Sequence, residues 1–104
     1  MSSKINVIVR GQSQSDAPCT FKNKVMMSNI SFPDQMVQED TIYIIKWNFD
    51  LKGASVNIPA RVILDFQGGK LMNGSIHWNT TKILNKYQYE ILHNITETGD
   101  KIIL

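Results

Sequence analysis

The chain has a single cysteine, Cys19, so it cannot form an internal disulfide. It has no Cys-x-x-Cys pair, and its two histidines, His77 and His93, stand apart, so no metal-ligand spacing is present and no cofactor is expected. Cys19 reads as a packing or surface thiol. Charge of one sign is also scarce: the net charge is +2, and Lys22/Lys24 and Lys82/Lys86 are pairs, not a basic stripe. That excludes the electrostatic footprint of a nucleic-acid binder. No apolar run approaches the roughly 18 residues of a membrane helix. The first residues lack a signal-peptide core, which leads to the expectation of synthesis in a cytoplasm and no membrane partner. The sequons beginning at Asn29, Asn73, Asn79 and Asn94 are accordingly read as turn asparagines.

What the chain does have is concentrated between Thr41 and Leu84. This stretch holds most β-forming residues, both tryptophans and four of the six glycines. Leu51-Lys-Gly-Ala-Ser-Val56 is echoed by Leu71-Met-Asn-Gly-Ser-Ile76. An echo at about 20–25 residues is the length of one coil of a β-solenoid. Gly53, Gly68, Gly69 and Gly74 are read as the structural turns between short strands. Within the strands, Ile42 and Ile44 face opposite to Tyr43, Ile45, Trp47 and Phe49. Val62, Leu64 and Phe66 face opposite to Ile63, Asp65 and Gln67. Residues 81–95 fit both a helical and a strand period, and their Tyr, Ile and Thr content favours short strands.

Upstream, Lys4 to Arg10 alternates, with Ile5, Val7 and Val9 on one side, and the polar run Gly11 to Ala17 follows. A strand and a flexible segment at a terminus form a candidate docking arm, giving residues 1–30 as arm and 31–104 as solenoid. Pro33-Asp34 can open one helical turn, but the segment is too short to be stable by itself and is read as a loop. Lys101 to Leu104 is read as a last apolar strand needing a partner.

The residues Thr41-Ile-Tyr-Ile-Ile-Lys-Trp-Asn-Phe-Asp-Leu-Lys-Gly-Ala, Val62-Ile-Leu-Asp-Phe-Gln-Gly-Gly-Lys-Leu-Met-Asn-Gly-Ser-Ile and Asn79-Thr-Thr-Lys-Ile carry a family likeness. They resemble the opening rungs of pectate-lyase-like right-handed β-helix virion proteins of phages that infect gut bacteria, including crAss-like phages. The likeness covers about residues 40–99. It implies an all-β fold, a short right-handed β-solenoid of few rungs with an N-terminal strand and arm. It also implies a virion location. In that family the module usually leads into a long β-helix that does the receptor-binding or sugar-cleaving work, and that part does not follow here.

Chemistry in such folds needs grouped carboxylates. Asp65 and Asp50 have no acidic neighbour in sequence, so the chain is expected not to be an enzyme. The function expected is a small oligomeric head-fibre, decoration or adaptor component of a virion. The resemblance favours a homotrimer that docks to other virion proteins. Ile63, Trp47, Trp78, Ile102 and Ile103 are the candidate oligomer interface. The alternative is a carbohydrate-binding module using Trp47, His77 and Trp78 on a cell-surface glycan, or a non-catalytic remnant of a polysaccharide-degrading enzyme.

Overall fold

A computed structural model describes residues 21–104, and Ile5, Val7, Val9 and Cys19 lie outside the described residues. The strands are β1 (Lys22–Val25), β2 (Thr41–Ile45), β3 (Phe49–Asp50), β4 (Ser55–Asn57), β5 (Val62–Phe66), β6 (Leu71–Leu84) and β7 (Leu92–Ile103), with one helical turn, α1 (Phe32–Gln35). All strand pairs are parallel. Together they make a β-solenoid of about four turns.

The register shows how the coils stack. On one side, β1, β2, β5, the end of β6 and the end of β7 lie next to one another in that order, with Thr41 beside Val62, Ile63 beside Lys82 and Lys82 beside Ile102. On another side, Ser55, Ser75 and Thr96 are aligned. Parallel pairing keeps aligned residues on the same face, so inward columns form: Tyr43–Leu64–Ile83, Ile45–Phe66 and Val56–Ile76, all buried. Fully burying one such aliphatic or aromatic side chain is worth about 1.5–3 kcal/mol.

The internal echo is half in register. Ser55 and Val56 do stack beneath Ser75 and Ile76, but Leu71 stacks on Phe49 and not on Leu51. Lys52 and Gly53, both left-handed (φ 51 and 82), form a two-residue excursion in the first coil that absorbs the offset.

Among the described residues, β1 pairs with β2 over its whole length, so Lys22–Val25, within the stretch read as arm, stacks on the solenoid. One expectation about the N-terminal side needs correction. The segment read as a loop contains α1, which the rest of the fold stabilises. Ser31 caps it by accepting from the Asp34 N–H. Gln35 is buried; its amide nitrogen donates to the Met27 and Ile30 carbonyls at 2.9 and 2.7 Å, and its oxygen accepts from the Met27 N–H at 2.7 Å. Phe32 packs on Phe49 with ring centroids 5.9 Å apart. The turn covers the first full coil, as a solenoid's first repeat must be covered.

Residues 85–91 form a turn and an irregular link, not strands, between β6 and β7. Their anchor is Tyr89, whose hydroxyl donates to the Gly69 carbonyl at 2.6 Å and accepts from the Gly68 N–H at 2.8 Å.

At the corner before each coil, Asp40, Arg61 and Thr80 all adopt left-handed backbone. Arg61 bonds Asp40 at 2.6 Å and Glu39 at 2.8 Å across the coil step. The hydrogen bond from Arg61 holds the Asp40 carboxyl below the usual carboxylate range. A depressed folded pKa contributes stability that is present above the unfolded carboxylate value, about 3.9, and lost as pH falls through the folded value. In an NMR titration, Arg61→Ala is expected to return the Asp40 midpoint toward the ordinary range; an unchanged midpoint would contradict the pairing.

Candidate functional site: an apolar side and the coil of the seventh strand

The solvent-facing sides of the solenoid differ sharply. Along β4, β6 and β7 the outward residues are Ser55, Ser75 and Thr96 in one column and Asn57, His77 and Thr98 in the next. They line a shallow groove of about 320 Å³, with His77 Nδ1 2.9 Å from Thr98 Oγ1. Alternation places polar residues outward there, as on any solvated parallel face.

The side built from β2, β5, β6 and β7 departs from that rule. Its outward columns are Ile42–Ile63–Lys82–Ile102 and Ile44–Asp65–Leu84, with Leu104 continuing the second through its N–H to the Ile83 carbonyl. Ile42, Ile44, Ile63 and Leu84 are half-buried, while Ile102 and Leu104 are 40% and 60% exposed. Parallel strands that are apolar on both faces are the pattern of a sheet covered on both faces. Ile63 also lines a pocket of about 290 Å³ with Arg61, Asn79, Thr80 and Lys82.

The last coil is the second distinctive feature. β7 runs twelve residues and pairs only with β6 among the described strands. Its inward positions break the columns beneath. Glu97 stands on Val56–Ile76, and Lys101 stands on Val62–Thr81. The two charges are ion-paired with each other over Trp78. The Trp78 indole N–H donates to Glu97 Oε1 at 3.0 Å, and Lys101 Nζ lies 5.8 Å from the ring centroid. Burial raises the Glu97 pKa, but the bonds from Lys101 and Trp78 outweigh it, and the carboxyl sits below its usual range. Ile103, stacked on the buried Ile83, is 59% exposed.

The residues singled out in sequence are therefore distributed as follows. Ile63 and Ile102 lie on the apolar side, which Leu104 extends, and Ile103 belongs to the end of the last coil. Trp47 is exposed at a corner: β2 ends at Ile45, so the alternation that grouped Trp47 with Tyr43 and Ile45 does not continue through it. Trp78 is 2% exposed and belongs to the core, so its assignment to an interface is corrected. The trio of Trp47, His77 and Trp78 does not form one surface, because Trp78 points inward while its neighbour His77 points out.

The acids are likewise held apart. Asp50 Oδ1 accepts from the Lys52 N–H at 2.9 Å and from Asn73 Nδ2 at 3.3 Å, at the start of a corner ladder that Asn94 extends by donating to Asn73 at 2.9 Å. Asp65 lies on the apolar side, accepting from Gln67 Nε2 at 2.8 Å. Asp50 and Asp65 thus sit on different parts of the coil. Among the described residues no group of three or more His, Cys, Asp or Glu could hold a metal ion.

Of the glycines read as turns, only Gly53 and Gly68 have positive φ. Gly69 and Gly74 serve a different purpose. A Cβ at Gly69 would lie 2.2 Å from the Trp47 carbonyl oxygen, and one at Gly74 would lie 2.7 Å from the Ala54 oxygen. Both are places where consecutive coils touch backbone to backbone.

No protein-family model, curated protein or solved structure matches the chain.

Proposed function

We propose that this chain is a non-enzymatic structural module that works by packing against other chains. The observation that carries the reading is the apolar outward side around Ile42, Ile44, Ile63, Leu84, Ile102 and Leu104, set against a polar side of ordinary composition. The resemblance over residues 40–99 supports a more specific version, a phage head-fibre, decoration or adaptor piece in several copies. The threefold state and the virion setting rest on that resemblance alone.

Light scattering tests the assembly. The wild-type chain is expected at a multiple of 11.8 kDa. Ile63→Glu, which places a charge on the apolar side without touching the core, is expected to lower the assembled mass while leaving the circular dichroism unchanged. A folded, monomeric wild type would sink the reading.

A second reading, glycan binding, is favoured by the hydroxyl and amide groove around Ser55, Ser75, Thr96 and His77. Oligosaccharide-induced NMR shifts confined to His77 and Thr98 would support it over packing alone.

A further inference from the structure

We infer that two copies of this chain meet end to end through β7, as an antiparallel pair with its two-fold axis at Gly99. The inference rests on the multi-copy reading above and specifies one of its contacts.

Three observations lead to it. First, β7 is unlike an interior coil. The columns beneath Glu97 and Lys101 hold Val56, Ile76, Val62 and Thr81, whereas β7 puts an acid and a base there, ion-paired with each other over Trp78. A further coil like those beneath would set apolar residues against that pair at a desolvation penalty, whereas a reversed copy sets an opposite charge against each member.

Second, the inward side of β7 is complementary to its own reverse. Inward residues equally distant from Gly99 match: Glu97 with Lys101, and Ile95 with Ile103. Opposed residues of an antiparallel pair point to the same face, so charge meets opposite charge and apolar meets apolar on the inward side. On the other side Thr98 meets Asp100, Thr96 meets Ile102 and Asn94 meets Leu104, with no like charges opposed. A two-fold interface requires this reciprocity, since residue i of one copy meets residue j of the other and the reverse.

Third, the fold places the centre of this pattern at a corner. Gly99 has φ 77 and separates the part of β7 stacked on β4 and β6 from the part stacked on the end of β6. An axis through the corner, perpendicular to the solenoid axis, lays the first part of one copy over the second part of the other. A Cβ at residue 99 would lie 2.2 Å from the Trp78 oxygen below, so glycine is required, and its lack of a side chain lets the two backbones approach.

The occupant is therefore a second copy, identified by charge complementarity. Charge swaps test it. Glu97→Lys sets a lysine side chain against Lys101 of the second copy, and Lys101→Glu sets a carboxylate against Glu97 of the second copy. Each is expected to weaken association by about a hundredfold or more and to halve the mass seen by light scattering. Mixing the two single variants restores complementarity at both contacts and is expected to restore the wild-type mass. The double variant E97K/K101E is expected to pair with itself and not with wild type.

A charge pair acting only within one chain predicts no rescue on mixing, and that result overturns the inference. So do single variants that keep the wild-type mass and fold, although the multi-copy reading then survives. A monomeric wild type defeats both. If removing residues 1–20 halves the mass and the mixed variants show no rescue, the N-terminal segment covers the edge, which also overturns the two-fold pair.

Discussion

Gly69→Ala is expected to destabilise the protein by about 3 kcal/mol, a large fraction of the roughly 5–15 kcal/mol that holds a domain folded. The added methyl would lie 2.2 Å from the Trp47 oxygen, 2.6 Å from its nitrogen and 2.8 Å from Ile45 Cγ2. Two of those three atoms are backbone, so no rotamer change relieves the overlap, and the coil containing β2 would have to move from the one above. The same residue accepts from the Tyr89 hydroxyl, so the displacement would also loosen the link to β7. Gly53→Ala is the control. Nothing lies within 4 Å of its added Cβ, and only its φ of 82 opposes a side chain. That costs about 1–2 kcal/mol. Urea unfolding of the two variants separates contact from conformation. Equal losses at both sites would mean that Gly69 acts as an ordinary turn residue.

Trp78→Ala is expected to cost about 3–5 kcal/mol, as truncation of a buried tryptophan does. Its ring lies in the core above Ile58, whose N–H donates to the His77 carbonyl, and its indole N–H donates to Glu97. Removing it would open a cavity and leave Glu97 held by Lys101 alone. Trp47→Ala, at a 51% exposed position, is expected to change stability by about 0.5 kcal/mol or less. Any effect it has should appear in association. Thermal unfolding with tryptophan fluorescence checks both, because each variant keeps one reporter. A marginal loss at Trp78 would contradict its place in the core.

The fold was legible because a solenoid writes its core as short-range alternation. Val62, Leu64 and Phe66 point in and Ile63 and Asp65 point out, as their spacing implies. The echo of Ser55-Val56 in Ser75-Ile76 marked one coil correctly, since aligned columns select similar residues. The echo misled at Leu51 because a two-residue excursion at Lys52-Gly53 shifts the register without altering composition. α1 was illegible for another reason. A four-residue turn has no periodicity to read, and it persists through Gln35 bonds to residues five and eight positions away and through Phe32 on Phe49.

The candidate site was half legible. Ile63 could be seen as an apolar residue at outward spacing, and Ile102 and Ile103 as part of an apolar last strand. The apolar side itself depends on coils of 19 to 21 residues bringing Ile42, Ile63, Lys82 and Ile102 into line. Glu97 and Lys101 carried no local signal, because an acid and a base four residues apart read as an ordinary surface pair.

By itself the sequence determined the class of fold and the inward or outward sense of its regular strands. Those properties are local: backbone φ preferences and period-two alternation act within a few residues. The tertiary structure alone decided which glycines are turns and which are contacts, which tryptophan lies inside, and that two charges stand on the columns of the core at its last coil. Each of these depends on what the next coil, about twenty residues away, places against the residue, and the sequence around the residue does not contain that neighbour.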